Sequence, residues 1–148
     1  QLEQLDRDAM HAVFDANVVV PSLWLRALAK SLRDSPRCIV AVLSARVGSI
    51  GDNSLGGWYS YRCSKAALNM VLRSAAVELK RRAKGVKLIA FHPGTTDTDL
   101  SKPFQRNVPE GKLFSADYVA DRLVGLMQTA TVDGELSFID YAGKSIPW

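Results

Sequence analysis

Apolar residues recur at helical spacing through the first part of the chain: Leu5, Met10, Val13, Phe14, Val18, Leu23, Leu25, Leu28 and Leu32. Such spacing puts one apolar stripe on a helix, so residues 3–33 are expected to be helical. Pro21 should kink or restart that helix, because its ring removes a hydrogen bond from the ladder. The period then changes. Residues 37–45, RCIVAVLSA, are short, apolar and β-branched, which predicts a strand buried on both faces of a parallel sheet. Residues 46–57, RVGSIGDNSLGG, read as a glycine-rich loop. A second long helix is expected over 58–83, with Gly85 as its C′ residue. Residues 86–94 predict another buried strand, stopping at Pro93, and 95–114 a polar loop. Ser115 can N-cap a helix reaching Thr129, with Asp117 in its first turn. Residues 134–143 predict a last strand.

Helix and strand alternate three times. That order calls for right-handed crossovers and a parallel sheet with helices on both faces. The fold class is therefore α/β: a partial doubly wound sheet of about three strands with flanking helices. No internal repeat or linker interrupts the pattern, so residues 1–148 are read as a single domain.

Composition changes this picture little. Hydrophobic residues make up 47% and charged residues 23%, ordinary values for a globular chain, which exclude a disordered or collagen-like one. No apolar run reaches the ~18 residues of a membrane span, and the polar, amphipathic start is unlike a signal peptide, so no membrane role is expected. Cys38 and Cys63 lack metal-ligand spacing and are read as reduced thiols of a cytoplasmic protein. The net charge of +4 is partly the cluster Lys80, Arg81, Arg82, Lys84 and Lys87. That cluster falls at a helix C-terminus, where cations complement the macrodipole, and no aromatic residues are interleaved for stacking on bases. No nucleic-acid partner is expected.

The candidate chemistry begins with GWYSYRCSKAAL, residues 57–68. Tyr61 and Lys65 stand four apart on the second helix, so both side chains share a face. A free tyrosine titrates near ~10; a fixed cation nearby favours the phenolate and should lower that value. Such a pair can exchange a proton with a carbonyl oxygen. The Y-x-x-x-K spacing alone is common, and a surface helix would carry it as readily. Its context is more specific. An apolar strand, a serine- and glycine-bearing loop, YRCSKAAL, and then HPGTTDT (92–98) after the next strand resemble the short-chain dehydrogenase/reductase family over essentially the whole chain. GGWYSYR, ANVVVP (16–21) and the ending GKSIPW narrow the likeness to its C-factor/Sniffer-like carbonyl-reductase group.

The resemblance implies a hydride-transferring, NAD(P)-dependent reduction of an aldehyde or ketone, with NADP slightly favoured over NAD. It implies Tyr61 as general acid/base and Lys65 as the cation that tunes it and binds the nicotinamide ribose. Asn17 would hold a water linking Lys65 to solvent; the bland reading is a helix-kink asparagine beside Pro21. Pro93, Gly94, Thr96 and Thr98 would line the cofactor, although Thr96 stands where the family has Val or Ile. The catalytic serine departs from pattern, since Ala45 holds its slot. Ser44 should face the other way along the strand. Ser49, twelve positions before Tyr61, is taken as the replacement hydroxyl. Losing such a donor typically costs ~100-fold in rate.

Other residues carry blander readings. His92 is read as loop packing, His11 as lacking a second ligand, and Asp97 and Asp99 as solvated carboxylates; no metal site is expected. Cys63 is read as a small packing residue. Trp58 and Tyr59 either line a substrate mouth or pack. No strand, glycine-rich turn and helix for a pyrophosphate opens the chain. The N-terminal nucleotide-binding half is thus expected to be absent, the fragment to be an impaired reductase, and helices 3–33 and 58–83 to mediate homo-oligomers. The alternative is a non-enzymatic interaction or signalling module.

Overall fold

The computed structural model describes residues 1–148, the whole chain. Its regular elements, in order, are α1 (Arg7–Phe14), α2 (Val20–Arg33), β1 (Cys38–Leu43), α3 (Tyr59–Arg82), β2 (Val86–His92), the short strands β3 (Thr95–Thr96) and β4 (Leu113–Phe114), α4 (Ala116–Thr129) and β5 (Leu136–Asp140). β1, β2 and β5 form one parallel sheet in the order β1-β2-β5. The chain thus adopts the expected α/β fold, a partial doubly wound sheet flanked by helices.

Side chains alternate across the sheet and divide the core in two. On one face Val86, Leu88, Ala90, Leu136 and Phe138 pack against Leu68, Leu72 and Ala76 of α3 and Leu32 of α2. On the other, Ile89 and Phe91 pack against Val119, Leu123, Leu126 and Met127 of α4. β2 is buried from Val86 to Phe91 because it has a strand on each side. β1 does not match the expectation of burial on both faces. It is an edge strand, half-buried at best, with Leu43 58% exposed.

Four local features differ from the sequence reading. First, the helix does not break at Pro21. It runs through a π-helical segment, Asp15–Val19, that joins α1 to α2. Proline has no N–H and its ring crowds the carbonyl four residues back, so a wider turn just upstream accommodates it. Second, this continuous Arg7–Arg33 helix is long and apolar enough to cross a membrane by length and composition, which the search for uninterrupted apolar runs did not show. One of its faces is committed to α3 and the core through Leu25 and Leu32. Third, Gly85 is not a C′ residue. α3 is capped earlier, at Ala83, and Gly85 is needed because any Cβ there would collide with the Ser35 and Pro36 carbonyls. Fourth, the loop 95–114 contains β3 paired parallel to β4, and a 3-10 segment, Lys102–Asn107. Ser115 does cap α4, its Oγ accepting from Tyr118 N at 3.2 Å.

Candidate active site

The C-terminal ends of β1, β2 and β5 lie along one edge of the sheet, where open α/β folds place their ligands. α3 rises beside that edge and carries Tyr61 and Lys65 on one face. Lys65 is buried, and its Nζ donates to the Leu43 carbonyl at the end of β1, 2.9 Å away. The ammonium also lies 5.7 Å from the centroid of the Tyr61 ring. The helix comes this close to the turn after β1 only because residue 48 is glycine. A Cβ on Gly48 would sit 2.7 Å from Lys65 Cβ.

The electrostatics differ from the expectation. Burial pushes the Tyr61 phenol above its ordinary pKa, and burial pushes the Lys65 ammonium below its own. Lys65 is engaged by a backbone carbonyl, so desolvation outweighs its pull on the phenol. In this geometry Tyr61 is a protonated donor at neutral pH rather than an incipient phenolate.

Asn17 reaches this helix from the π-helical segment. Its Nδ2 donates to Ser64 Oγ at 3.0 Å, and Ser64 Oγ donates to the Tyr61 carbonyl at 2.9 Å. Its side chain is thereby fixed on the residue next to Lys65. Ser44 is turned toward α3 and its hydroxyl is committed there: its Oγ donates to Asn69 Oδ1, one turn beyond Lys65, at 2.6 Å. Ala45 is buried. Ser49 is buried too, and its Oγ accepts from Asp52 N at 3.0 Å, which leaves the hydroxyl proton without an acceptor in the chain.

The segment after β2 leaves the same edge of the sheet. Pro93, Gly94 and Thr96 are half-buried and Thr98 is exposed. Ser101 Oγ donates to the Thr96 carbonyl at 2.6 Å and folds the loop back on itself; Thr98 Oγ1 reaches the same carbonyl at 3.4 Å. Asp97 accepts from Gln105 and Asp99 from Lys102. The basic cluster is laced by ion pairs, Arg82 to Glu78 and Lys80 to Glu135.

A group near this edge went unrecognised in the sequence. Arg46, in the turn after β1, bridges Asp52 and the buried Asp140 at the end of β5, at 3.2 and 3.3 Å. His92, register partner of Asp140, ends β2 beside them. Burial first, and Arg46 second, lower its pKa to about 4 against the opposing effect of Asp140. Asn69 was also missed, although it stands one helical turn beyond Lys65 and its spacing was legible.

Three buried polar atoms lack a partner: Asn69 Nδ2, His92 Nδ1 and Thr96 Oγ1. Buried polar groups are ordinarily satisfied, so these three atoms are exceptions, and each lies on α3 or at or just beyond the C-terminal end of β2. Lys65 has three donors and uses one. These residues fit the nicotinamide–ribose half of a dinucleotide. Residues 1–148 contain no strand, glycine-rich turn and helix that would seat its pyrophosphate.

Known proteins resemble this chain in sequence and in fold. The family model described as short chain dehydrogenase matches residues 1–109. C-signal of Myxococcus xanthus is 33% identical over 147 residues, covering 99% of this chain and 83% of that protein. A 1-hydroxy-2-glutathionyl-2-methyl-3-butene dehydrogenase of a Rhodococcus species is 38% identical over 104 residues, covering 70% of this chain and 44% of that one. Among solved structures, a carbonyl reductase of Pseudomonas aeruginosa superposes with a TM-score of 0.78 at 27% identity, covering all of this chain and 59% of its own. An NADPH-bound carbonyl reductase from chicken fatty liver shares the fold, with a TM-score of 0.86 at 24% identity over 60% of its length.

Proposed function

Since the chain belongs to the short-chain dehydrogenase family, we propose that it carries the catalytic part of an NAD(P)-dependent reductase that converts an aldehyde or ketone to an alcohol. The observation supporting this most directly is the pairing of Tyr61 and Lys65 on one helical face, with the Lys65 ammonium 5.7 Å from the Tyr61 ring. A bound nicotinamide cofactor would supply the hydride. Tyr61 would donate its proton to the carbonyl oxygen as negative charge develops there. Its raised pKa keeps the phenol protonated at neutral pH, the form that the reducing direction needs. Lys65 would hold the ribose with its uncommitted N–H donors, and Thr96 and its neighbours would orient the nicotinamide. Ser49, with a free hydroxyl proton, is the donor proposed to steady the substrate oxygen. Because only half of the dinucleotide has a seat in residues 1–148, cofactor affinity and turnover should both be low.

The test is carbonyl reduction by the purified chain with NADPH or NADH, against Tyr61→Phe. The wild-type rate should hold through neutral pH and fall in the alkaline range, as Lys65, whose ammonium is weakened by burial, or Tyr61 loses its proton. Tyr61→Phe should lower kcat at least ~100-fold. Equal rates in the two proteins would overturn the reading.

A second reading is a non-enzymatic interaction module. The match to C-signal, which extends over nearly the whole chain, favours it. Saturable binding of NADPH distinguishes the two: the reductase requires it and the module does not.

A further inference from the structure

We propose that Trp58 and Phe104 form an aromatic clamp that selects carbonyl compounds bearing a flat aromatic group. This rests on the reading of the Tyr61–Lys65 face as a carbonyl site. Trp58 is the N-cap of α3, three residues before Tyr61. It is the only non-glycine residue with positive φ, at 47°, and it follows Gly56 and Gly57, which are also left-handed. A tryptophan held in this way would ordinarily be justified by packing. Instead its residue is 54% exposed, and Phe104 is 52% exposed.

The two rings meet edge to face, with centroids 5.6 Å apart and planes at 71°. They come from separate elements. Trp58 belongs to the helix of the acid. Arg62 lies over its ring at 5.8 Å and donates to the Gly56 and Val47 carbonyls, which ties Trp58 to the turn after β1. Phe104 belongs to the loop folded on Thr96, braced by Gln105 donating to Asp97 and to Ser101 Oγ. The pair therefore joins the N-terminus of the helix that carries Tyr61 to the loop bonded to Thr96. Aromatic pairs favour edge-to-face and offset-stacked contacts, so an aryl group can join this arrangement where a saturated ring cannot lie flat. Both rings are braced before a ligand arrives, which reduces the ordering cost of binding.

Binding of acetophenone and of cyclohexyl methyl ketone to the full chain, read by ligand-observed NMR without cofactor, tests the clamp. The two ketones share a six-membered ring and a methyl carbonyl, and only one ring is flat. Acetophenone should bind several-fold more tightly. Trp58→Gly tolerates the left-handed backbone, so it removes the ring without threatening the fold, and it should erase that preference, weakening acetophenone about fivefold to tenfold. Phe104→Leu should weaken it in the same direction. Equal affinity for the two ketones, or a preference unchanged in Trp58→Gly, would sink the clamp. Loss of turnover in all forms with the Trp58-dependent preference retained would sink the reductase reading and leave the clamp standing.

Discussion

His92 lies between a guanidinium and a carboxylate at the end of the central strand, and its burial keeps the imidazole neutral. With a pKa of about 4 against ~6.5 in an unfolded chain, the folded state binds fewer protons than the unfolded state between these values. Stability should therefore fall as pH drops from ~6.5 to ~4, by about 3 kcal/mol at ~1.4 kcal/mol per unit, and this residue should add nothing further below pH ~4. Urea midpoints at pH 7 and pH 4.5 measure it. In His92→Gln the difference between them should shrink by most of that amount. An unchanged difference would assign the acid sensitivity to other groups. The sequence reading of His92 as loop packing identified neither Arg46 nor Asp140, because nothing in linear spacing joins the ends of three parallel strands. Tyr61 and Lys65 were legible for the opposite reason: i and i+4 on one helix are neighbours whatever the rest of the chain does. The direction of the Tyr61 shift was not legible, since burial and a competing carbonyl decide it.

At the scale of elements, the site depends on how α3 is seated against the turn after β1. Two contacts fix it, Gly48 against Lys65 and Ser44 against Asn69. Gly48→Ala forces a Cβ into Lys65 and should cost about 1–3 kcal/mol, the usual range for overpacking. It should also disturb the Lys65–Leu43 bond. The expected outcome is a lower thermal midpoint together with a loss of whatever nicotinamide affinity the wild type shows. An unaltered melting curve would mean that the turn can retreat freely. The long helices and central strands were readable because each satisfies one period over many residues. β3 and β4 were not, because two residues have no period. Gly85 was misassigned because its purpose is a contact with Ser35 and Pro36, across the fold from its own helix.

The whole molecule exposes more surface than a compact monomer of its mass. Its accessible area is 9515 Å², while a folded 16.2 kDa protein is expected near roughly 7,500 Å². The excess of roughly 2,000 Å² is more than the roughly 800 Å² per partner that a standard interface buries. It includes the unpaired outer edge of β1 and apolar side chains on the long helices: Val20, Leu23 and Trp24 on α2, Met70 and Val77 on α3. The chain also spans only about 60% of the solved structures it resembles. We expect self-association through α1–α2 and α3. Sedimentation should show concentration-dependent dimers or larger species, and Trp24→Glu, at a 65% exposed position, should shift them toward monomer. A monomer at high micromolar concentration would refute this.

By itself the sequence determined the α/β alternation, the parallel sheet, the Ser115 cap of α4 and the placing of Tyr61 beside Lys65. All of these are set by local period and by neighbours within a turn of chain. Tertiary structure alone decided that β1 is an edge, that Lys65 points to the Leu43 carbonyl, that Ser44 is consumed by Asn69 while Ser49 keeps a free proton, and that Trp58 meets Phe104. Those outcomes depend on which residues, far apart along the chain, are forced to share one small volume, and on whether water remains there to screen them.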